Sequence, residues 1–459
     1  MEPWLASALD YVPRWLEFQR RLHDQPGCVV AVAHRGRVVL EAAFGAADLA
    51  TGEPLTPRHR FRAASHSKTF TAAGIMKLVE AGRLRLDDPI ATYVPGLHPA
   101  AGEATLGQLL SHSAGLVRDG PDSGQFTDRR PYRTPEEVRQ DLAAEPPFPA
   151  AMRFKYSNHG YALLGMAIEA VAGEPYLDWI AREVVAAAGL EETVPDIVRL
   201  RDAPMARGHS GRLPLGRRVV IPGDNPTHAI AAAGGFVATA ADLVRFFGAL
   251  SPNAEPGLLS AASRREMTRR HWRDQDTRIE RYYGLGTMSG PPGPWAWFGH
   301  GGAFQGFITR TAVVPERDLA IAVLTNAIDG PAHFWVEGIL HILERFAQEG
   351  APAPEVRDWT GRWWSLWIPT DLVPMGRKVV AALPGTFTPF VEGSEIEVLG
   401  PDRGRIARAP GFLSPGEPVR RVRGADGAVR EVWLGGGKLV AEEAMREELE
   451  TRYGGPIST

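Results

Sequence analysis

The sequence predicts an α+β protein in two parts. A large mixed domain covers residues 1–350, and a small antiparallel, barrel-like β-domain covers residues 358–459, with a linker at 351–357 between them. Three observations carry this. Helical and strand-like periodicities alternate up to about residue 348. Gly350-Ala-Pro-Ala-Pro-Glu355 then breaks both. Beyond it, short β-prone runs alternate with Gly, Pro and Asp turns, and helical periodicity returns only at Ala441.

Taken in order, Trp15 to His23 reads as an amphipathic helix. Gly27 to Ala33 and Arg37 to Phe44 read as strands of a hairpin turning at His34-Arg-Gly36. A helix runs from Ala64 to about Ala81, before Pro89. Thr105 to Leu110 opens a short helix, and Arg118 to Pro135 is a polar surface loop of the kind that borders sites. Tyr161 to Val171 and Tyr176 to Ala187 are helices separated by Gly173-Glu-Pro175. Ala231 to Gly235 is a small-residue turn, and Thr239 caps a helix through Leu250. Strands follow at Tyr282 to Met288, Thr309 to Val314 and Leu319 to Thr325, then a helix at Phe334 to Phe346. In the second part, Glu395 to Leu399, Val419 to Arg423, Ala428 to Trp433 and Lys438 to Val440 are strand-like.

The composition, 44% hydrophobic and 23% charged, is that of a soluble globular protein. A formal net charge of −3 gives no basis for nucleic-acid or anionic-membrane partners. The lone cysteine, Cys28, excludes an intrachain disulfide and sits in an apolar run expected to be buried. No apolar run reaches the length of a membrane span. The start of the chain lacks a basic leader and apolar core, so the expectation is a cytoplasmic protein. H-E-x-x-H and other metal-ligand spacings are absent, as is a Gly-rich phosphate loop, so neither metal nor cofactor is expected. Gly208-His-Ser210-Gly211 only approaches the G-x-S-x-G elbow.

Chemistry concentrates at Ser65 and Lys68. Three residues apart at a helix start, they share one face, so hydroxyl and amine can meet. A serine needs a base to become a nucleophile, and burial can lower a lysine enough to serve. The chain holds only five lysines among its 51 basic residues, so a lysine retained here is informative. The competing account is a capping serine beside a solvated first-turn charge. Tyr156-Ser-Asn158 offers a second proton carrier and a polar group to hold the pair. With Arg153 and Lys155 adjacent, the tyrosine is expected to ionise more easily than usual and act as base. A helix cap at Ser157 or Asn158 fits the same residues. His300-Gly-Gly302-Ala303 suggests an edge strand whose glycines allow close approach. The Ala303 and Ser65 N–H groups are candidate oxyanion donors, and His300 could polarise the substrate or deliver a proton. A structural histidine beside a tight turn is the alternative.

Ser65-x-x-Lys68, Tyr156-x-Asn158 and His300-x-Gly302, in that order, resemble the serine β-lactamase and penicillin-recognising superfamily, in its class C-like, peptidase S12 branch. Thr105–Leu116, Ala232–Leu243 and Tyr283-Gly-Leu-Gly286 are similar too, so the resemblance spans about residues 15 to 348. It implies a β-lactamase/transpeptidase-like antiparallel sheet flanked by helices, with a helical subdomain. The implied roles are acylation at Ser65, proton shuttling by Lys68 and Tyr156, holding by Asn158, and deacylation by water activated through Tyr156. His300-Gly-Gly302 replaces the usual K-T-G, which favours a substrate carboxylate. The resemblance therefore shifts toward D-aminopeptidases, D-amino-acid amidases and carboxylesterases, ahead of D,D-carboxypeptidases and β-lactamases. D-aminopeptidase-like members append lipocalin-like barrels that restrict the cleft or build homo-oligomers, and one such barrel fits residues 358–459. The implied substrate is a small molecule or short peptide. A catalytically silent sensor or scaffold on the same fold is the non-enzymatic alternative.

Overall fold

The computed structural model describes residues 1–213, 215–291 and 295–454. These form two compact units, Gln25–Val336 and a second made of Met1–Asp24 with Glu337–Thr459.

The first unit is built on a nine-stranded antiparallel sheet. Its middle runs Arg37–Asp48, Gly27–His34, Leu319–Thr325, Phe307–Val314, Phe298–Phe304. Gly27–His34 is buried along its whole length, as its unbroken Cys-Val-Val-Ala-Val-Ala run requires of a strand covered on both faces. The predicted hairpin and the Leu319–Thr325 strand form in place, paired Cys28 to Thr325. The 282–288 segment is instead two two-residue strands, Tyr282–Tyr283 and Met288–Ser289, because Gly284 and Gly286 intervene. Phe298–Phe304 is accordingly not a free edge: Met288 and Ser289 pair with Gly299 and Phe298. From His300 onward, among the described residues, only the Phe307–Val314 side is paired.

Helices cover this sheet. Ala240–Ala249, capped by Thr239, packs on its central strands. Ser67–Glu80 lies deeper, with Phe70 stacked 3.7 Å from Phe246 and 4.3 Å from Phe236. Beside it lie Asn158–Ala172, capped by Ser157, and Ala231–Gly234, where a turn was expected. The predicted 176–187 helix breaks into an α-turn at Tyr176–Ile180, a π-turn and a 3₁₀ turn.

The second unit contains a closed eight-stranded antiparallel barrel from Gly361–Trp364 to Gly437–Val440, sealed by the Trp364–Val440 pair. Four of its strands were not picked out in the sequence: Pro369–Met375 carries two prolines and Arg403–Arg408 three arginines, which mask the alternation, while Gly361–Trp364 and Lys378–Ala382 are only four and five residues long. Ile396, Ile406, Val419, Val432 and Leu439 fill the interior around Trp359. Arg421 stacks 4.3 Å over Trp359 and donates to the Asp358 carboxylate at 2.7 Å. The N-terminal helix belongs to this unit and runs Pro3–Leu22, twelve residues earlier than read, with Pro13 inside it. Tyr11 donates to Asp371 at 3.0 Å, and Gln19 to the Pro384 carbonyl at 2.6 Å. The closing helix is Glu442–Tyr453. Among the described residues, no helix is long and apolar enough to cross a membrane.

Candidate active site

Ser65 does not sit in the α-helix itself but in a 3₁₀ turn, Ala64–His66, that leads into it. Ala64 takes φ +53°, a left-handed conformation that costs a non-glycine residue about 1 kcal/mol. Neighbours hold it there. Ser67 Oγ donates to the Ala64 carbonyl at 2.5 Å and accepts from Phe236 N at 3.0 Å. Ala63 N donates to the Phe236 carbonyl at 2.8 Å. The turn is thus tied on both sides to the Phe236 backbone, leaving Ser65 half-buried.

Two groups converge on the Ser65 hydroxyl. Lys68 Nζ lies 3.3 Å from Oγ and donates to the Ala233 carbonyl at 2.7 Å. Tyr156 donates its phenol proton to Oγ at 3.0 Å. Lys68 is fully buried, and burial holds its ammonium well below the usual range, with Asp119 opposing and Arg118 adding to the effect. Its Nζ also lies 4.7 Å from the Tyr156 ring centroid. The expected ease of ionising Tyr156 is reversed. Burial pushes the phenol up, outweighing its bond to Ser65 and the Arg118 charge. The cause is that sequence neighbours do not set its field: Arg153, for one, pairs with Asp276.

Asn158 stands beside this group but turns elsewhere. Its Nδ2 donates to Asp119 Oδ1 at 2.6 Å, and no bond joins it to Lys68 or Tyr156 among the described residues. His300 is also differently engaged. Its Nε2 lies 2.9 Å from the Tyr283 hydroxyl and Nδ1 2.7 Å from the Gly301 carbonyl. Burial, then His66 and Lys68, hold it well below its ordinary value, so it is neutral. With both ring nitrogens occupied and the ring buried, it has no free position from which to deliver a proton.

Gly302 explains why glycine is needed on this strand. A Cβ there would meet the Ala63 carbonyl at 2.3 Å and Thr309 Oγ1 at 2.4 Å. The absence of a side chain lets the strand press against the turn that bears Ser65. Gly301 has room for a Cβ, its nearest neighbour being Arg310 Nη1 at 3.4 Å. Ala303, the next residue, is exposed, with its strand partner at Ile308. Ser67, Asp119 and Tyr283 were not singled out for these contacts. Asp119 carried a sequence signal as a carboxylate at the start of the polar loop, and Tyr283 as the first residue of the family-like Tyr283-Gly-Leu-Gly286. Among the described residues, no cluster of His, Cys, Asp and Glu could hold a metal ion.

Comparison with known proteins identifies the family. Residues 17–337 match the family described as Beta-lactamase. The chain belongs to that family. It is 31% identical over 327 residues to penicillin-binding protein 4 of Amycolatopsis lactamdurans, covering 67% of this chain and 82% of that protein. Esterase EstB of Burkholderia gladioli is 27% identical over 300 residues, covering 57% and 74%. The crystal structure of SurE with D-Leu superposes with a TM-score of 0.60 at 26% identity, covering 95% of this chain and 99% of that one. That match extends across both units of this beta-lactamase-family chain.

Proposed function

We propose that this protein is a serine hydrolase that forms an acyl-enzyme at Ser65 on small amide, peptide or ester substrates, with D-aminopeptidase or amidase activity as the first choice. One observation carries the reading: the Ser65 hydroxyl is touched at once by a buried amine and a partly buried phenol. With Lys68 neutral, one N–H goes to the Ala233 carbonyl and its lone pair faces the Ser65 proton. Ser65 Oγ attacks the carbonyl carbon while its proton passes to Lys68. Tyr156, protonated at rest, gives its proton to the leaving nitrogen or oxygen as that bond breaks and is reprotonated from Lys68. Water then reverses the relay, its proton leaving through the same two groups, and frees the acid. The Ser65 and Ala303 N–H groups are the proposed oxyanion donors, with Gly302 allowing the approach.

Preference for D-residues is supported by the SurE structure with D-Leu and by His300-Gly301-Gly302, which puts a neutral ring where a carboxylate-binding lysine would stand. Esterase activity is the second reading, supported by EstB. A fluorophosphonate probe tests the chemistry. Labelling is expected at Ser65 and absent in Ser65→Ala; a folded wild type that stays unlabelled would leave a sensor or scaffold. A panel of D- and L-aminoacyl p-nitroanilides, short acyl esters and a chromogenic cephalosporin tests the substrate class. D-anilides are expected to lead, and a leading cephalosporin would overturn the preference.

A further inference from the structure

The Thr105–Leu116 segment has no part in the chemistry described so far, yet one of its residues holds Tyr156 by three separate contacts. His112 follows the Leu106–Leu110 helix at φ +58°, a left-handed conformation in which asparagine and histidine are among the commoner non-glycine residues. It is buried. Its carbonyl accepts from Lys155 N at 2.7 Å, and its Nδ1 accepts from Ser157 N at 3.1 Å. Those two residues flank Tyr156. The third contact is the ring itself, whose centroid lies 4.1 Å from that of Tyr156. Tyr283 and Tyr161 close around the imidazole at 4.7 and 5.1 Å, and each is anchored, Tyr283 to His300 and Tyr161 to the Leu110 carbonyl at 2.6 Å. Burial, then Lys68 and His300, hold His112 well below its ordinary value, so it is neutral. With Nδ1 accepting, its proton sits on Nε2. Among the described residues, no hydrogen bond joins it to Ser65 or Lys68.

We infer that His112 is a positioning residue, which fixes the Tyr156 phenol where its oxygen reaches both Ser65 Oγ and the leaving group. The inference rests on the acyl-enzyme reading above and adds to it the residue through which the proton donor is aimed. The phenol oxygen is the far end of a long, rigid side chain. A small rotation of the backbone at residue 156 therefore swings it out of its 3.0 Å bond to Ser65. Holding the N–H on each side of Tyr156 prevents that rotation. The ring torsion of a tyrosine is intrinsically loose, and the stacked imidazole restricts it.

The test measures kcat/KM on a matched p-nitroanilide and nitrophenyl ester for His112→Phe and His112→Asn, each alone and combined with Tyr156→Phe. His112→Phe keeps a ring but removes Nδ1. His112→Asn suits the left-handed backbone and offers Oδ1 as acceptor in place of Nδ1. The anilide-to-ester ratio is expected to fall about tenfold in His112→Phe, because the anilide depends more on the proton that Tyr156 delivers. It should rise again in His112→Asn, and it should not change when His112→Phe is added to Tyr156→Phe. Equal losses on both substrates in His112→Phe would overturn the assignment and leave His112 a purely structural residue. So would a fall that persists in the Tyr156→Phe background, or a ratio no higher in His112→Asn than in His112→Phe. Thermal melting checks each variant; if His112→Phe does not fold, His112→Ala against His112→Asn makes the same comparison. Fluorophosphonate labelling of Ser65 separates the two levels. Labelled wild type with an unmoved ratio sinks the positioning role alone, whereas unlabelled wild type sinks the acyl-enzyme reading and this inference with it.

Discussion

Tyr156→Phe removes one oxygen and leaves the ring. That ring sits 4.1 Å from the His112 ring, so packing survives the change. The lost atom is the one that donates to Ser65 Oγ at 3.0 Å. Two magnitudes can then be told apart. If the phenol only orients the serine, the loss is that of a neutral hydrogen bond, about 0.5–1.5 kcal/mol. That corresponds to a decrease of roughly 2- to 13-fold in rate. If the phenol carries the proton to the leaving group, the loss is about 10²- to 10⁴-fold. Burial keeps the phenol protonated, ready to act first as an acid, so the larger loss is expected. It should weigh more heavily on anilides than on nitrophenyl esters, whose leaving group needs less proton assistance. The assay is kcat/KM on a matched anilide and ester, with thermal melting as the folding control. A loss below about tenfold on the anilide, in a variant that melts like wild type, would refute the proton-transfer role.

Three further outcomes are expected. In Lys68→Met, activity disappears but stability at neutral pH rises, because a buried amine with a depressed pKa no longer has to shed its proton on folding. The sign follows: between the folded value and 10.5 the unfolded chain binds more protons, so wild-type stability climbs with pH relative to Lys68→Met. Melting curves at pH 7 and pH 9.5 check it, and parallel curves would contradict it. Gly302→Ala drives a Cβ into the Ala63 carbonyl, so loss of Ser65 labelling with about 1–3 kcal/mol of destabilisation is expected in denaturant titration. Asp371→Ala leaves Arg362 and Tyr11 without their shared carboxylate and should cost about 3–5 kcal/mol in the barrel-containing unit while sparing Ser65 labelling.

Spacing made Ser65 and Lys68 legible, since one helical turn fixes which side chains can meet wherever the helix lies. Tyr156 was legible as a residue, but its proton was not. Arg153 and Lys155 flank it in sequence, yet burial dominates its titration, and burial is a property of the whole fold. The same limit hid the partners of Asn158 and His300, because Asp119 and Tyr283 reach them from other parts of the chain. Long, strongly patterned elements such as Leu319–Thr325 were read to the residue. The N-terminal helix was read short because Pro13 looks like a breaker, although residues on both sides of it, Tyr11 and Trp15, are buried. In the barrel, Pro369 and Pro374 masked one strand and alternating arginines another.

The helix at Pro3–Leu22 is made more than three hundred residues before its partners Asp371, Pro384 and Thr386. Its apolar stripe, including Leu5, Val12, Trp15 and Leu16, must therefore wait through the synthesis of more than three hundred residues before it finds its seat. The Gln25–Val336 unit can mature first, as an insertion between the two halves of the other. Nascent chains stalled before Asp371 should thus hold a finished hydrolase centre and a helix still exposed to chaperones.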